Sequence, residues 1–201
     1  MITSLIILLP VLVGLLLWHQ LPEQIPVHFN SEGVADSYQS KLWGVTFIYL
    51  FIFACHWFAA IITSVDPRRR NISSKIYRLV LWICPVISVF VGVTIYGTAL
   101  NWPWVNINFM ANLLLGVIFI VIGNYLPKCR QNYTIGIKLP WTLSDEENWD
   151  KTHRFAGFVW IVCGAAAIVG GWTKPVVAIV ALVAMILLPV VYSGILKHKG
   201  I

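Results

Sequence analysis

Residues 132 to 155 read NYTIGIKLPWTLSDEENWDKTHRF and hold four of the chain's eight acidic side chains, Asp145, Glu146, Glu147 and Asp150, with His153 three positions further on. Carboxylates and an imidazole at i,i+3 spacing share one helix face, which is the raw material of a metal site or an acid–base pair. Two ligand types on one turn do not fill a coordination sphere, however, and no CxxC, HExxH, GxSxG or P-loop pattern accompanies them. A structural account covers the same residues. Ser144 followed by Glu147 is a capping-box spacing that places Asp145, Glu146 and Glu147 in a first helical turn, where the helix dipole favours acids. Glu147 then pairs with Lys151 and Asp150 with Arg154 at i,i+4, and Trp149 and His153 lie on the opposite face. The expectation is a capped helix with no catalytic residues, no metal and no cofactor.

The elements that carry this stretch belong to a membrane protein. Of the 201 residues 59% are hydrophobic and only 11% charged, and ten are Trp, a composition foreign to soluble domains. Apolar runs at 2–19, 42–63, 77–99, 108–126, 155–172 and 175–196 match the ~20 residues that cross ~30 Å of hydrocarbon as helix. They predict an all-α membrane protein of six transmembrane helices, forming one domain over 1–201. The first run lacks a basic leader and a cleavage site and is expected to be retained. Twelve of the 14 Lys and Arg fall in loops or tail on one side, from Arg68, Arg69 and Arg70 to Lys197 and Lys199, and two, Lys41 and Lys174, on the other. By the positive-inside rule both termini and the loop 127–154 are cytoplasmic and the loop 20–41 is external. The net charge of +6 thereby reflects topology, and no direct nucleic-acid binding is expected.

The loop 20–41 exceeds what a connection needs. Ile25, Val27 and Phe29 alternate with Gln24, His28 and Asn30, the period of an extended strand with one covered face, and Asn30-Ser-Glu-Gly33 is a turn signal. Upstream of the acids, Gly136 permits a turn or close backbone approach, Pro140 holds Leu139 extended, and Trp141 suits the headgroup layer. Cys55, Cys84 and Cys163 fall within spans and Cys129 within a cytoplasmic loop, so no external disulfide is expected. The sequons at Asn71 and Asn132 lie on the inner side and read as chance matches, and GWTKP reads as a tight antiparallel connection between the last two spans. Inside the spans, His56 reads as a neutral imidazole bonded to a neighbouring helix. The series Asn108, Asn112, Gly116 and the pairs Ala166–Gly170 and Ala167–Gly171 read as packing devices, and Pro10, Pro85 and Pro189 as interruptions.

The block GNYLPKCRQNYTIGIKLPWTLSDEENWDKTHRFAG, residues 123–157, resembles the signature of the SdpI-like family, membrane proteins named for immunity to a secreted sporulation-delaying peptide toxin. LPEQIPVHFNSEGVADSYQSK, residues 21–41, resembles the N-terminal module that often accompanies it, on Pro26, His28, Asn30 and Gly33. Gly123, Asn124, Asn132, Gly136, Ile137, Pro140, Trp141, Thr142, Leu143, Trp149, His153 and Arg154 stand at matching positions, with Lys138 where many members have Arg. The resemblance implies a non-enzymatic, multi-pass protein of the bacterial inner membrane. Its implied partners are the lipid bilayer, a secreted peptide toxin and a soluble transcriptional repressor held at the membrane. A small-molecule or peptide transporter is the alternative, and a membrane-embedded enzyme the third reading.

Overall fold

A computed structural model describes residues 2–173 and 175–201, with no side chain described within 171–175. The helices are α1 (Ile2–Leu16), α2 (Lys41–Ser64), α3 (Ser74–Ala99), α4 (Ile107–Tyr125), the short α5 (Pro140–Ser144), α6 (Glu146–Thr173) and α7 (Pro175–His198). Five of them are long and apolar enough to cross a membrane, because in hydrocarbon only a helix or a closed barrel satisfies every backbone N–H and C=O. The first helix is shorter than the run 2–19 suggested: its 15 residues extend about 22 Å. The chain turns after Leu16 and enters a hairpin. At the expected GWTKP connection α6 runs to Thr173 and α7 begins at Pro175, and Lys174 lies outside the described residues.

The chain divides into two compact units. The first comprises residues up to Ala60 together with Leu79–Ala111. Its core gathers Leu21, Ile25, Val45, Tyr49, Ile95 and Tyr96. The Ser88 and Tyr96 hydroxyls donate to the carbonyls of Ile7 and Pro10 at 2.7 and 2.8 Å, anchoring α1 beside its internal proline; α1, α3 and α7 all continue through their prolines. His56 is buried, with its Nε2 3.3 Å from Thr3 Oγ1 of α1, the interhelical contact expected of it.

In the same unit, residues 24–40 form strands β1 (Gln24–Phe29) and β2 (Ala35–Ser40), paired antiparallel with irregular register on either side of His28. Ile25 is fully buried and Val27 half-buried, so the covered face read from the alternation is present; the second strand was not legible, since Ala35–Ser40 is almost entirely exposed and polar. Asn30 Oδ1 accepts from the backbone N–H of Glu32 and Val34 at 3.0 Å each, and Gly33 takes φ 79°, a left-handed conformation suited to glycine.

The second unit comprises Ile61–Arg78 with Asn112–Ile201. There α6 packs on α7 through Val159, Cys163, Ala181 and Met185. Against α4 it packs through glycine: a methyl on Gly164 would lie 2.7 Å from the Gly116 carbonyl oxygen, and one on Gly157 2.7 Å from that of Gly123. Pairing 116 with 164 and 123 with 157 makes the two helices antiparallel, with backbones in direct contact, the close approach that small residues allow in a membrane. Gly116 was foreseen as a packing residue. Its partner Gly164 was not, because the pairs Ala166–Gly170 and Ala167–Gly171 mark neighbouring faces of the same helix.

Candidate functional site

The signature block folds around Trp149. Emerging from α4 at Tyr125, the chain passes through one 3-10 turn at Leu126–Lys128, loops back to α5 and enters α6. Trp149 and His153 stand one turn apart on α6, both fully buried, with ring centroids 4.0 Å apart and planes at 22°. Trp149 Nε1 donates to the Cys129 carbonyl at 2.7 Å. His153 Nδ1 lies 2.7 Å from the Trp149 carbonyl oxygen, which can only accept, while His153 Nε2 lies 3.0 Å from the Ile137 N–H, which can only donate. The imidazole is therefore neutral and protonated at Nδ1.

Gly136 fits against this pair at φ 120°, and a Cβ there would collide with His153 Nε2 and lie 3.0 Å from the Trp149 ring. The close approach anticipated for Gly136 is thus made to one particular stacked pair. Asn132, 1% exposed, uses its whole side chain to shape the turn before it: Nδ2 donates to the Arg130 and Ile135 carbonyls, and Oδ1 accepts from the N–H groups of Thr134 and Ile135. That burial and bonding fit the reading of its sequon as a chance match. Thr142, fully buried, accepts the Leu139 N–H and donates within reach of the Ile137 carbonyl at 2.8 Å. Pro140 opens α5, and Trp141, half-buried, donates to Ser193 Oγ at 3.1 Å with Lys197 over its ring.

The acidic run is resolved differently from its spacing. The α6 cap is Asp145, whose Oδ1 accepts the Asn148 N–H at 2.6 Å; Ser144 ends α5 and its hydroxyl bonds the Trp141 carbonyl. The cap moves one residue because Pro140 starts a separate short helix that uses Ser144 as its last residue. Glu146 and Glu147 remain in the first turn. Glu147 pairs with Lys151 at 2.7 Å; the expected Asp150–Arg154 ion pair is absent among the described residues. Both of those side chains are exposed, beside Glu146, Glu147 and Lys151 in a depression of about 350 Å³. The α6 helix continues without a break from the acids into the apolar segment. Asn124 is exposed on α4, and Lys138 is exposed with Nζ on the Thr134 carbonyl.

Several residues essential to this arrangement were not singled out from sequence. Asp66, 6% exposed, accepts the N–H groups of Arg68 at 2.7 Å and Tyr133 at 3.0 Å and the hydroxyl of Thr134, binding the loop after α2 to the signature loop. Asn71 Nδ2 on the Gln131 carbonyl and the Arg68 guanidinium on the Gln131 side chain reinforce the junction. Asn148, fully buried, donates to the Ser193 and Ile201 carbonyls. The available signal was the isolation of Asp66 among cations. Cys129 is buried with Ile72 and Ile76, and burial pushes its thiol up to about 11.

The hairpin module belongs to the other unit. Pro26 is buried at the irregular register, His28 is exposed with Nδ1 2.6 Å from Asp36 Oδ1, and Asn30 and Gly33 build the turn. Val27, Gln39, Trp43, Gly44, Phe47 and Ile95 border an apolar cavity of about 490 Å³ under it.

The model of the SdpI/YfhL protein family matches residues 128–193, the loop built on Trp149 and His153 and the two helices that follow. Over these residues the chain is SdpI-like. A second model, a domain of unknown function (DUF1648), matches residues 5–53, covering α1, the hairpin and the start of α2. The SdpI-like chain is similar end to end to Immunity protein SdpI of Bacillus subtilis (strain 168), at 25% identity over 98% of this chain and 93% of the relative. No solved structure matches it.

Proposed function

We propose that this SdpI-like chain is a non-enzymatic immunity protein of the bacterial inner membrane that protects its cell from a secreted peptide toxin. Its similarity to Immunity protein SdpI along nearly the whole length of both chains carries this reading. In the proposed arrangement six helices span the membrane as one domain and both termini are cytoplasmic. The hairpin over 20–41 faces the side from which a toxin arrives, and the loop 127–154 faces a soluble transcriptional repressor that it holds at the membrane.

The internal wiring of the signature supports a surface whose shape matters more than its acids. Asn132, Thr142, Trp149 and His153 spend their polar groups on backbone carbonyl and N–H groups of the same block. Toxin binding can release the inner surface only by favouring one of two conformations of the protein. Expression in a toxin-sensitive host should raise survival against a cognate secreted peptide toxin, and a tagged cognate regulator should fractionate with membranes. A cysteine at position 33 should react with an impermeant thiol reagent on intact cells and one at 144 should not. Absence of both protection and capture would put the transporter reading ahead, and the reverse labelling would sink the orientation.

A further inference from the structure

The junction held by Asp66 carries a concentration of positive charge that the immunity reading does not use. Residues 65–78 and 126–138, both in the second unit, contain eight Lys and Arg side chains and one carboxylate, Asp66. That carboxylate is buried and occupied by two backbone N–H groups and a hydroxyl. Among the described residues none of the eight cations is ion-paired. Arg68, Arg69 and Lys128 instead lie over the rings of Tyr133, Tyr77 and Tyr125 at 4.9, 4.7 and 5.1 Å, while Arg70, Arg78 and Arg130 are exposed. Cation–ring contact holds a guanidinium or ammonium without neutralising it.

These cations stand at the ends of three apolar helices, at Ser64, Ser74 and Tyr125, the depth at which lipid phosphates and interfacial aromatic rings meet. We propose that this Asp66-braced plate is a binding surface for the phosphate headgroups of anionic phospholipids. A guanidinium offers paired donors to phosphate oxygens, and clusters of four to eight cations immediately beyond a spanning helix are attracted to anionic leaflets. Depth favours lipid over an acidic soluble protein, because the cations continue directly from the helices that enter the bilayer.

The full chain would be reconstituted in phosphatidylcholine vesicles carrying acyl-chain spin-labelled phosphatidylglycerol or phosphatidylcholine, and the motionally restricted fraction of each label measured by electron spin resonance. The expected result is preferential restriction of phosphatidylglycerol by roughly fivefold at low salt, falling as salt rises. In the combined Arg70→Gln, Arg78→Gln, Arg130→Gln variant the preference should fall close to one, whereas the corresponding Lys triple variant should keep most of it and so separate loss of charge from misfolding. Equal restriction of the two labels by the native chain, or an unchanged preference in the Gln variant, would overturn the proposal. Complete competition by inorganic phosphate at matched ionic strength would assign a free-phosphate site instead. Binding of an acidic peptide by a native chain without lipid preference would assign the plate to a soluble partner.

Discussion

The ring of His153 lies flat on that of Trp149, with centroids 4.0 Å apart, and the same imidazole accepts the Ile137 N–H at 3.0 Å. One side chain thus fixes the indole on its own helix and the backbone of the signature loop. Gly136 closes the assembly, since any Cβ at that position would strike His153 Nε2.

Gly136→Ala should therefore be among the most damaging single-methyl additions in the chain. Left-handed strain of about 1–3 kcal/mol is joined by a collision with the stacked pair. The thermal midpoint in detergent should fall and protection should be lost at normal expression. A variant as stable and active as the native chain would mean that the loop does not rest on His153.

Removing the helix cap discriminates between two adjacent residues. Asp145→Ala should cost about 1 kcal/mol through the freed Asn148 N–H, whereas Ser144→Ala, on an exposed hydroxyl, should stay within about 0.5 kcal/mol. Glu146→Gln should likewise leave toxin survival unchanged. Chemical unfolding of the three purified variants gives the order, and a larger loss from Ser144→Ala would restore the cap to that residue.

Asp66 braces two loops by charge-assisted hydrogen bonds. Asp66→Asn turns an amide toward donors that need an acceptor and should cost about 2–3 kcal/mol. Limited proteolysis of the purified chain should then open the segments 65–73 and 130–135 together, because Asp66 bonds both. Cleavage confined to one of them would show that the junction is held elsewhere.

Cys129 supplies a pH test. Burial raises its thiol to about 11 in the folded chain from an ordinary 9.0, so the folded state favours the neutral form. The associated stability is complete below pH 9 and is lost as pH rises from 9 to 11. Cys129→Ala should flatten this part of the stability profile relative to the native chain. At pH 7.5 the native thiol should alkylate slowly and react only on unfolding; rapid labelling of the folded protein would contradict the burial.

What the sequence determined by itself is whatever depends on local pattern. Apolar length required membrane helices, because no other open segment satisfies its backbone in hydrocarbon. The alternation at Ile25, Val27 and Phe29 announced a strand, Asn30 and Gly33 announced its turn, and helical spacing placed Glu147 on Lys151 and put Trp149 and His153 on one face. Tertiary structure decided where distant segments meet. Asp66 reads locally as a lone acid before a basic run and becomes a buried brace only when Tyr133 and Thr134 arrive. Gly164 is one small residue among several on α6 until Gly116 of α4 selects its face. The cap fell to Asp145 instead of Ser144 because a separate short helix claimed the serine. β2 has no covered face of its own and exists through hydrogen bonds to β1. In each case the deciding partner lies in another element, and the pattern of one segment carries no information about which partner is brought into contact.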